Sequence, residues 1–338
     1  MDRFAPKLVT VFGGSGFVGT QLVQLLARQG YRIRVAVRRP DLAGHVRMFG
    51  SVGQVLPIQA NLRDRASVER AVRDAEIVIN LVGIGAEAGK QTFRAIHVEG
   101  STNAARAAKA AGAKTFVQMS ALGVAKAAEA SAWAKSRLDA EAAVLETFPT
   151  AIVVRPSLIF GQDDGFFNLM GALARIFPVM PLIHGETRFQ PIYVGDVAEA
   201  LLLAAEGKVK TGRVYELGGP EIETHKALMQ RILREAGRKR PLLPWPAGLA
   251  KFTAAVFSFL PFKPLITEDQ VELLAVDNVV SDEAIREKRT LAAFGIKPES
   301  MDDILPSYMW RFRKNGQFGR NSDKSGSGGA ASSGSIVA

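Results

Sequence analysis

Leu8-Val9-Thr10-Val11-Phe12-Gly13-Gly14-Ser15-Gly16-Phe17-Val18-Gly19 is the stretch whose reading decides the fold of this chain. Five β-prone residues run into a glycine turn, and over 20–29 apolar residues recur at helical spacing until Gly30 stops them. The stretch reads strand, tight turn, helix. Gly13 permits the sharp exit from the strand, Gly16 lets a pyrophosphate approach the backbone, and Gly19 lets the helix lie close to the sheet. The unpaired N–H groups at the helix start then face the phosphates. A glycine triplet alone is a weak signal, and the spacing here, G-x-x-G-x-x-G, is one residue wider than G-x-G-x-x-G. Its place between a strand and a helix is what makes it a dinucleotide turn.

The same alternation continues outward. Further strands are expected at 32–37, 55–59, 77–82, 115–119 and 151–155, with helices at 66–73, 93–111 and 133–146 between them. Continuously apolar strands separated by helices require a parallel sheet covered on both faces, and right-handed crossovers make it doubly wound. The expected fold class is α/β, a Rossmann-like doubly wound parallel sheet with a smaller C-terminal α/β lobe. Residues 1–160 are predicted to form the nucleotide-binding domain, and 190–219 return to it through a helix at 194–205 and a strand at 214–217. Residues 161–189 and 220–314 make the smaller lobe, and the glycine-, serine- and alanine-rich 315–338 is expected to be a flexible tail.

At the end of the second strand, where an NAD site commonly places Asp or Glu, Val37 is followed by Arg38 and Arg39. Guanidinium groups suit a 2′-phosphate, so NADP(H) is favoured over NAD(H); the alternative is a solvated basic turn.

Asn61-Leu62, Asn80-Leu81-Val82-Gly83, Met119-Ser120-Ala121, Arg155-Pro156-Ser157 and Pro191-Ile192-Tyr193-Val194-Gly195-Asp196-Val197-Ala198 follow successive strands. With the glycine turn they resemble an extended, atypical short-chain dehydrogenase/reductase over about 7–300. Within that superfamily the chain most resembles the NADPH-binding accessory subunits of respiratory complex I, in a bacterial version. The resemblance implies a tightly bound NADPH. Gly13, Ser15, Gly16, Phe17 and Val18 would line the pyrophosphate, Arg38 and Arg39 the 2′-phosphate, and Asn61 and Leu62 the adenine. Leu81, Val82 and Gly83 would run under the ribose, and Pro156 with Leu158 would pack near the nicotinamide; Leu81, Val82 and Leu158 equally suit ordinary sheet core.

Active relatives carry Tyr-x-x-x-Lys and a Ser. Ser120 is retained here, but Trp133 and Arg137 stand in place of the Tyr and Lys. An indole N–H cannot ionise near neutral pH, and a permanently charged guanidinium has no tyrosinate to stabilise. No catalytic residue is expected at this degenerate site, although Arg137 can still reach ribose hydroxyls. Lys135 lies two positions from Trp133 and points elsewhere on the helix, and Tyr193 reads as a tyrosine at a domain junction. The histidines at 45, 97, 184 and 225 show no ligand spacing, so no metal is expected.

The 338 residues are 47% hydrophobic and 22% charged, enough for a sizeable core, and the absence of cysteine excludes disulfides, thiolate metal sites and cysteine nucleophiles. A net charge of +10 calls for an acidic neighbour. Arg231, Arg234, Arg238, Lys239 and Arg240 form a basic cluster ahead of Trp245, Phe252, Phe257, Phe259 and Phe262, which interleave with Lys251 and Lys263. That pattern suits a membrane surface with anionic lipid or a partner groove, against the alternative of lobe core and solvated face. No nucleic-acid motif accompanies the charge. With no long apolar run and only Met1 to Lys7 before the first strand, neither a spanning helix nor a targeting segment is expected. The resemblance implies a peripheral position among other complex I subunits, on the cytoplasmic face of a bacterial inner membrane or the matrix face of the mitochondrial one. Two other functions stay open: an NADP-dependent reductase or sugar-nucleotide epimerase, and a dinucleotide-sensing regulator.

Overall fold

The computed structural model describes residues 6–246, 248 and 267–316. Strands β1 (Leu8–Phe12), β2 (Arg32–Val37), β3 (Val55–Gln59), β4 (Ile77–Asn80), β5 (Thr115–Met119) and β6 (Ile152–Pro156) are joined by helices α1 (Phe17–Arg28), α2 (Arg65–Val72), α3 (Gly100–Ala110), the short α4 (Val124–Ala127) and α5 (Ala132–Thr147). Next come β7 (Ile159–Phe160), α6 (Phe166–Ile176), β8 (Met180–Leu182), β9 (Arg188–Phe189), β10 (Ile192–Tyr193), α7 (Val194–Ala205) and β11 (Arg213–Leu217). β12 (Glu223–Thr224), α8 (His225–Glu235) and β13 (Leu242–Pro244) follow. The main sheet is parallel throughout, in the order β11-β6-β5-β4-β1-β2-β3. The winding reverses between β1 and β4, where Val11 pairs with Val35 on one side and Ile79 on the other. That reversal opens a crevice at the carboxyl ends of the strands.

Every residue of β1 is buried because both faces of the sheet are covered. Val9 and Val11 pack with Leu22, Val23 and Leu26 of α1 and Leu201 of α7. Leu8 and Phe12 pack on the opposite face with Val68 of α2, Ala104 and Ala108 of α3 and Val144 of α5. Thr10 lies between them in sequence and donates its hydroxyl to the Ala71 carbonyl at 2.8 Å, so the polar side chain within the strand is satisfied.

Two expected elements change shape. The fourth strand stops at Asn80 rather than 82, because the buried Asn80 amide donates to Ser101 Oγ at 3.0 Å and Gln118 Oε1 at 2.9 Å while its oxygen accepts the Val82 N–H at 3.2 Å. The amide thereby draws the chain off the sheet. The helix expected at 93–111 begins as a π-helical turn, Arg94–Glu99, before α3; such turns shift the side-chain register along a helix and recur at functional sites.

A second apolar cluster forms around Phe160, Phe167, Met180, Leu228, Met229, Ile232 and Leu305, with β8 paired to β13 beneath α6 and α8. Buried Asp164 accepts the Tyr308 hydroxyl at 2.7 Å and the Phe167 N–H at 2.6 Å. The basic cluster is less free than its sequence implies. Arg231 is held by Glu223 and Asp302, Arg238 donates to the Phe312 carbonyl at 3.4 Å, and Arg240 donates to the Ala174 carbonyl at 3.1 Å. Lys251, Phe252, Phe257, Phe259, Phe262, Lys263 and residues 317–338 lie outside the described residues. Among the described residues no helix is long and apolar enough to cross a membrane.

Candidate functional site

Geometry at the glycine turn follows from crowding. Gly13 has φ +78° and donates to the Ala36 carbonyl at 3.1 Å, and Gly16 closes the turn by donating to the Gly13 carbonyl at 3.1 Å. Gly19 is helical, yet a Cβ there would collide with the Gly13 carbonyl and the Gly14 backbone. The absence of a side chain therefore seats α1 against the turn. Gly16 caps α1 without a side-chain hydrogen bond, and the first turn carries no acidic residue, so its N–H groups stay directed at the crevice. Ser15 is half-buried; Val18 is buried in the core, and the Phe17 ring lies beside Gly161.

Along the crevice, Arg38 is exposed and bonded to the Gln91 side chain, while exposed Arg39 pairs with Asp41 at 2.8 Å. Asn61 Oδ1 accepts the Arg63 N–H at 3.2 Å, and buried Leu62 offers its carbonyl to Asn103 at 2.9 Å. Leu81 belongs to the core, Val82 stands beside Gly13, and Gly83 lies directly under the Arg137 guanidinium, where a Cβ would not fit. Leu81 and Val82 therefore line both the core and the crevice.

At the ends of β4 and β5, Ser120, Trp133 and Arg137 come together. The Trp133 indole donates to the Ile84 carbonyl at 2.8 Å, and the Ile84 N–H donates to His97 Nε2 at 3.0 Å. His97 Nδ1 is 2.8 Å from Ser136 Oγ, whose hydroxyl donates to the Trp133 carbonyl at 2.7 Å. This is a closed ring of hydrogen bonds. Because Nε2 accepts, the proton sits on Nδ1 and the imidazole is neutral. Burial, and then the Arg137 charge, push the His97 pKa down to about 3. Trp133 is thus a strut that fixes the loop after β4. This network was not legible in the chain's local pattern, since His97 and Ser136 stand 39 residues apart.

Arg137 is 7% exposed and Ser120 4% exposed. Arg137 donates to the Met119 carbonyl at 3.3 Å and stands 5.4 Å from the centroid of the Trp133 ring. Burial pulls its pKa down to about 10, with the Glu141 charge opposing, so it stays charged at neutral pH. Ser120 Oγ and Arg137 Nε are buried without a hydrogen-bond partner among the described residues.

The far wall is built by β6 and Asn278. Pro156 accepts the Leu122 N–H at 2.9 Å, and Asn278 Oδ1 accepts the Ser157 hydroxyl at 2.6 Å and the Leu158 N–H at 3.1 Å. The Asn278 amide donates to the Leu122 carbonyl at 2.9 Å, tying the ends of β5 and β6 together. The alternative proton donors stand apart: Lys135 is exposed and paired with Asp139 at 3.2 Å, and the Tyr193 ring packs on Phe160 at 5.9 Å between centroids. Two clefts of about 330 and 450 Å³ lie elsewhere, the first at the amino ends of the strands beside Lys7 and Thr115, the second beside Leu182 and Trp245.

These residues fit a dinucleotide. An uncapped helix start behind three glycines suits a pyrophosphate, and two orphaned buried donors on the other side of the reversal need acceptors that a bound nucleotide can supply.

The profile of the NAD dependent epimerase/dehydratase family matches residues 9–218. Over 324 residues the chain is 33% identical to NADH dehydrogenase [ubiquinone] 1 alpha subcomplex subunit 9, mitochondrial, of Arabidopsis thaliana, spanning 91% of this chain and 79% of that protein. It is also 33% identical over 202 residues to a ceramide reductase of Caulobacter vibrioides, with 60% of this chain and 62% of that protein covered. Its fold resembles an Escherichia coli NADPH-dependent quinone oxidoreductase complexed with NADPH, with TM-score 0.68 at 18% identity over 89% of this chain and 98% of that one.

Proposed function

This chain belongs to the NAD dependent epimerase/dehydratase family, and from that premise we propose that it is a non-catalytic, NADP(H)-binding accessory subunit of respiratory complex I. The observation that carries the reading is Trp133: the position expected to donate a proton holds an indole whose only N–H is committed to the Ile84 carbonyl. A bound nicotinamide nucleotide would supply a hydride, and no partner residue at this position is fitted to move the accompanying proton. In this reading Gly13, Ser15, Gly16, Phe17 and Val18 line the pyrophosphate, with the Gly13 and Gly16 N–H groups spent inside the turn. Arg38 and Arg39 hold the 2′-phosphate, the latter in competition with Asp41. Asn61 and Leu62 flank adenine, Leu81, Val82 and Gly83 run under the ribose, Pro156 and Leu158 pack on the nicotinamide, Ser120 lies beside it, and Arg137 reaches the ribose hydroxyls. Residues 1–160 with 190–219 act as the nucleotide domain, and 161–189 with 220–314 as the lobe that meets partner subunits near the membrane.

The nucleotide then serves the fold: a ligand at about 1,000 times its dissociation constant adds about 4 kcal/mol of stability. The position would be peripheral, on the cytoplasmic face of a bacterial inner membrane or the matrix face of the mitochondrial one. Gentle extraction from native membranes, followed by identification of co-purifying chains and bound nucleotide, tests this. Recovery with complex I subunits and a nicotinamide nucleotide is expected; a chain found only alone in the soluble fraction would overturn it. A second reading, an NADP-dependent reductase, is favoured by the likeness to a ceramide reductase. Steady NADPH oxidation by the purified chain with a ketone of the ceramide class would establish that reading instead.

A further inference from the structure

A segment that follows the lobe in sequence crosses the ends of β5 and β6. Its first part is a short helix, α9 (Glu268–Leu273), capped reciprocally by the Thr267 hydroxyl and the Gln270 side chain, and the chain then runs on to Asn278. Asp269, in the first turn of α9, accepts the hydroxyl of buried Ser131 at 2.8 Å and the Trp133 N–H at 3.3 Å. Both donors stand at the start of α5, where Ser131 also caps the helix by accepting the Ala134 N–H. Leu273 and Val276 pack, with Ala121 and Trp133, on Val124, Ala127 and Ala134. At the far end Asn278 grips Leu122, Ser157 and Leu158, beyond β5 and β6. The segment thus runs from α5 to β6 past the end of β5, which leads into Ser120.

The two ends of the segment are anchored differently. Asn278 is bonded through its backbone as well, donating to the Arg188 carbonyl at 2.8 Å and accepting the Gln190 N–H at 3.0 Å, and adjacent Asp277 pairs with Arg188 at 2.7 Å. α9 is fastened to the lobe by buried Val271, which packs with Ile183 and Trp245. Toward the nucleotide domain it is caught by the side chain of half-buried Asp269, a grip that can be released without unravelling any backbone ladder. In a doubly wound sheet the two halves of a dinucleotide lie on either side of the reversal in strand order. The glycine turn and Arg38 stand on the β1–β3 half, so the nicotinamide belongs to the half that this segment crosses. We propose that residues 267–278 form a latch over the nucleotide, hinged at Asn278 and caught at Asp269, so that the nucleotide enters and leaves only when α9 lifts from α5. The inference rests on the dinucleotide reading of the site and deepens it: the ligand is retained by a barrier to release as well as by its contacts. Asp269 is a positioning residue that touches α5 and not the nucleotide. Its loss therefore loosens the closed state of the empty and the loaded chain alike, and changes rates more than affinity.

The test is rapid mixing of the nucleotide-free full chain with NADPH, followed by the fluorescence of the reduced ring, and displacement of bound NADPH by excess NADP⁺. In the unmodified chain the observed rate of entry should level off as NADPH is raised, because opening of the latch becomes limiting. Asp269→Ala removes an acceptor of two hydrogen bonds and should speed both entry and release at least about tenfold. The dissociation constant should stay within about threefold of the unmodified value. An entry rate proportional to NADPH throughout the accessible range would overturn the proposal even if the variant does not fold. Unchanged release in Asp269→Ala would overturn it too, as would faster release matched by an equal loss of affinity with entry unaltered. Failure to bind either nucleotide would overturn the dinucleotide reading itself, an outcome distinct from these.

Discussion

Replacing Gly19 by Ala sets helix propensity against packing. Gly19 lies in the first turn of α1 and is absent from the glycines with positive φ, so local preference alone makes Ala better by about 1 kcal/mol. The fold reverses the sign. The added Cβ would meet Gly14 Cα at 2.6 Å and its carbonyl carbon at 2.7 Å, besides the Gly13 carbonyl oxygen. All three are backbone atoms of the turn, and none can swing away as a side-chain tip would. Either α1 backs off the sheet or the turn opens, and overpacking of this kind costs about 1–3 kcal/mol. Set against the propensity gain, the chain should be about 0–2 kcal/mol less stable. The same displacement re-aims the N–H groups of the turn, so nucleotide affinity should fall at least about tenfold, or about 1.4 kcal/mol. Chemical denaturation of the nucleotide-free chain measures the first effect and calorimetric titration with NADPH the second. A variant about 1 kcal/mol more stable that binds nucleotide with unchanged affinity would refute the claim that Gly19 is required by the close approach of helix and turn.

Three further outcomes are expected. Trp133→Phe keeps the ring but leaves the Ile84 carbonyl without its indole donor, which should cost about 1–2 kcal/mol in denaturation without creating reductase activity. His97 is held neutral in the fold with a pKa of about 3 and is free to titrate near its ordinary 6.5 when unfolded. The unfolded chain therefore takes up the extra proton, and stability should fall by about 1.4 kcal/mol per pH unit below 6.5 until about pH 3. Comparison of acid unfolding with His97→Gln isolates this contribution, and equal acid limbs would exclude it. Glu141→Gln strips Arg155 of its bidentate partner in a buried setting and should cost about 3 kcal/mol, whereas Lys135→Ala, at an exposed pair, should change stability by less than about 0.5 kcal/mol. Parallel melting curves for the two would decide between them.

The regular architecture was legible because its signals are local. Strand-length apolar runs, helical spacing and the glycine turn lie within a few residues of each other, so the six expected strands of the nucleotide half and the added strand near 214–217 are present in the sheet. The family was legible for the same reason, since it depends on residue identity at the strand ends. The sequence alone thus determined a doubly wound fold, and it marked Trp133 and Arg137 as the residues to examine at its crevice. Only the tertiary structure decided what those two residues do. Trp133 became a strut because Ile84, His97 and Ser136 converge on it from separate segments, and Asn278 closes the far wall from 156 residues beyond Leu122. Arg137 is left without a direct salt bridge among the described residues because Arg155, on the adjacent strand, takes the carboxylate of Glu141, which helical spacing alone would have assigned to Arg137. Spacing along the chain specifies which groups share a helix face; the folding of distant strands against that face decides which of them remain paired.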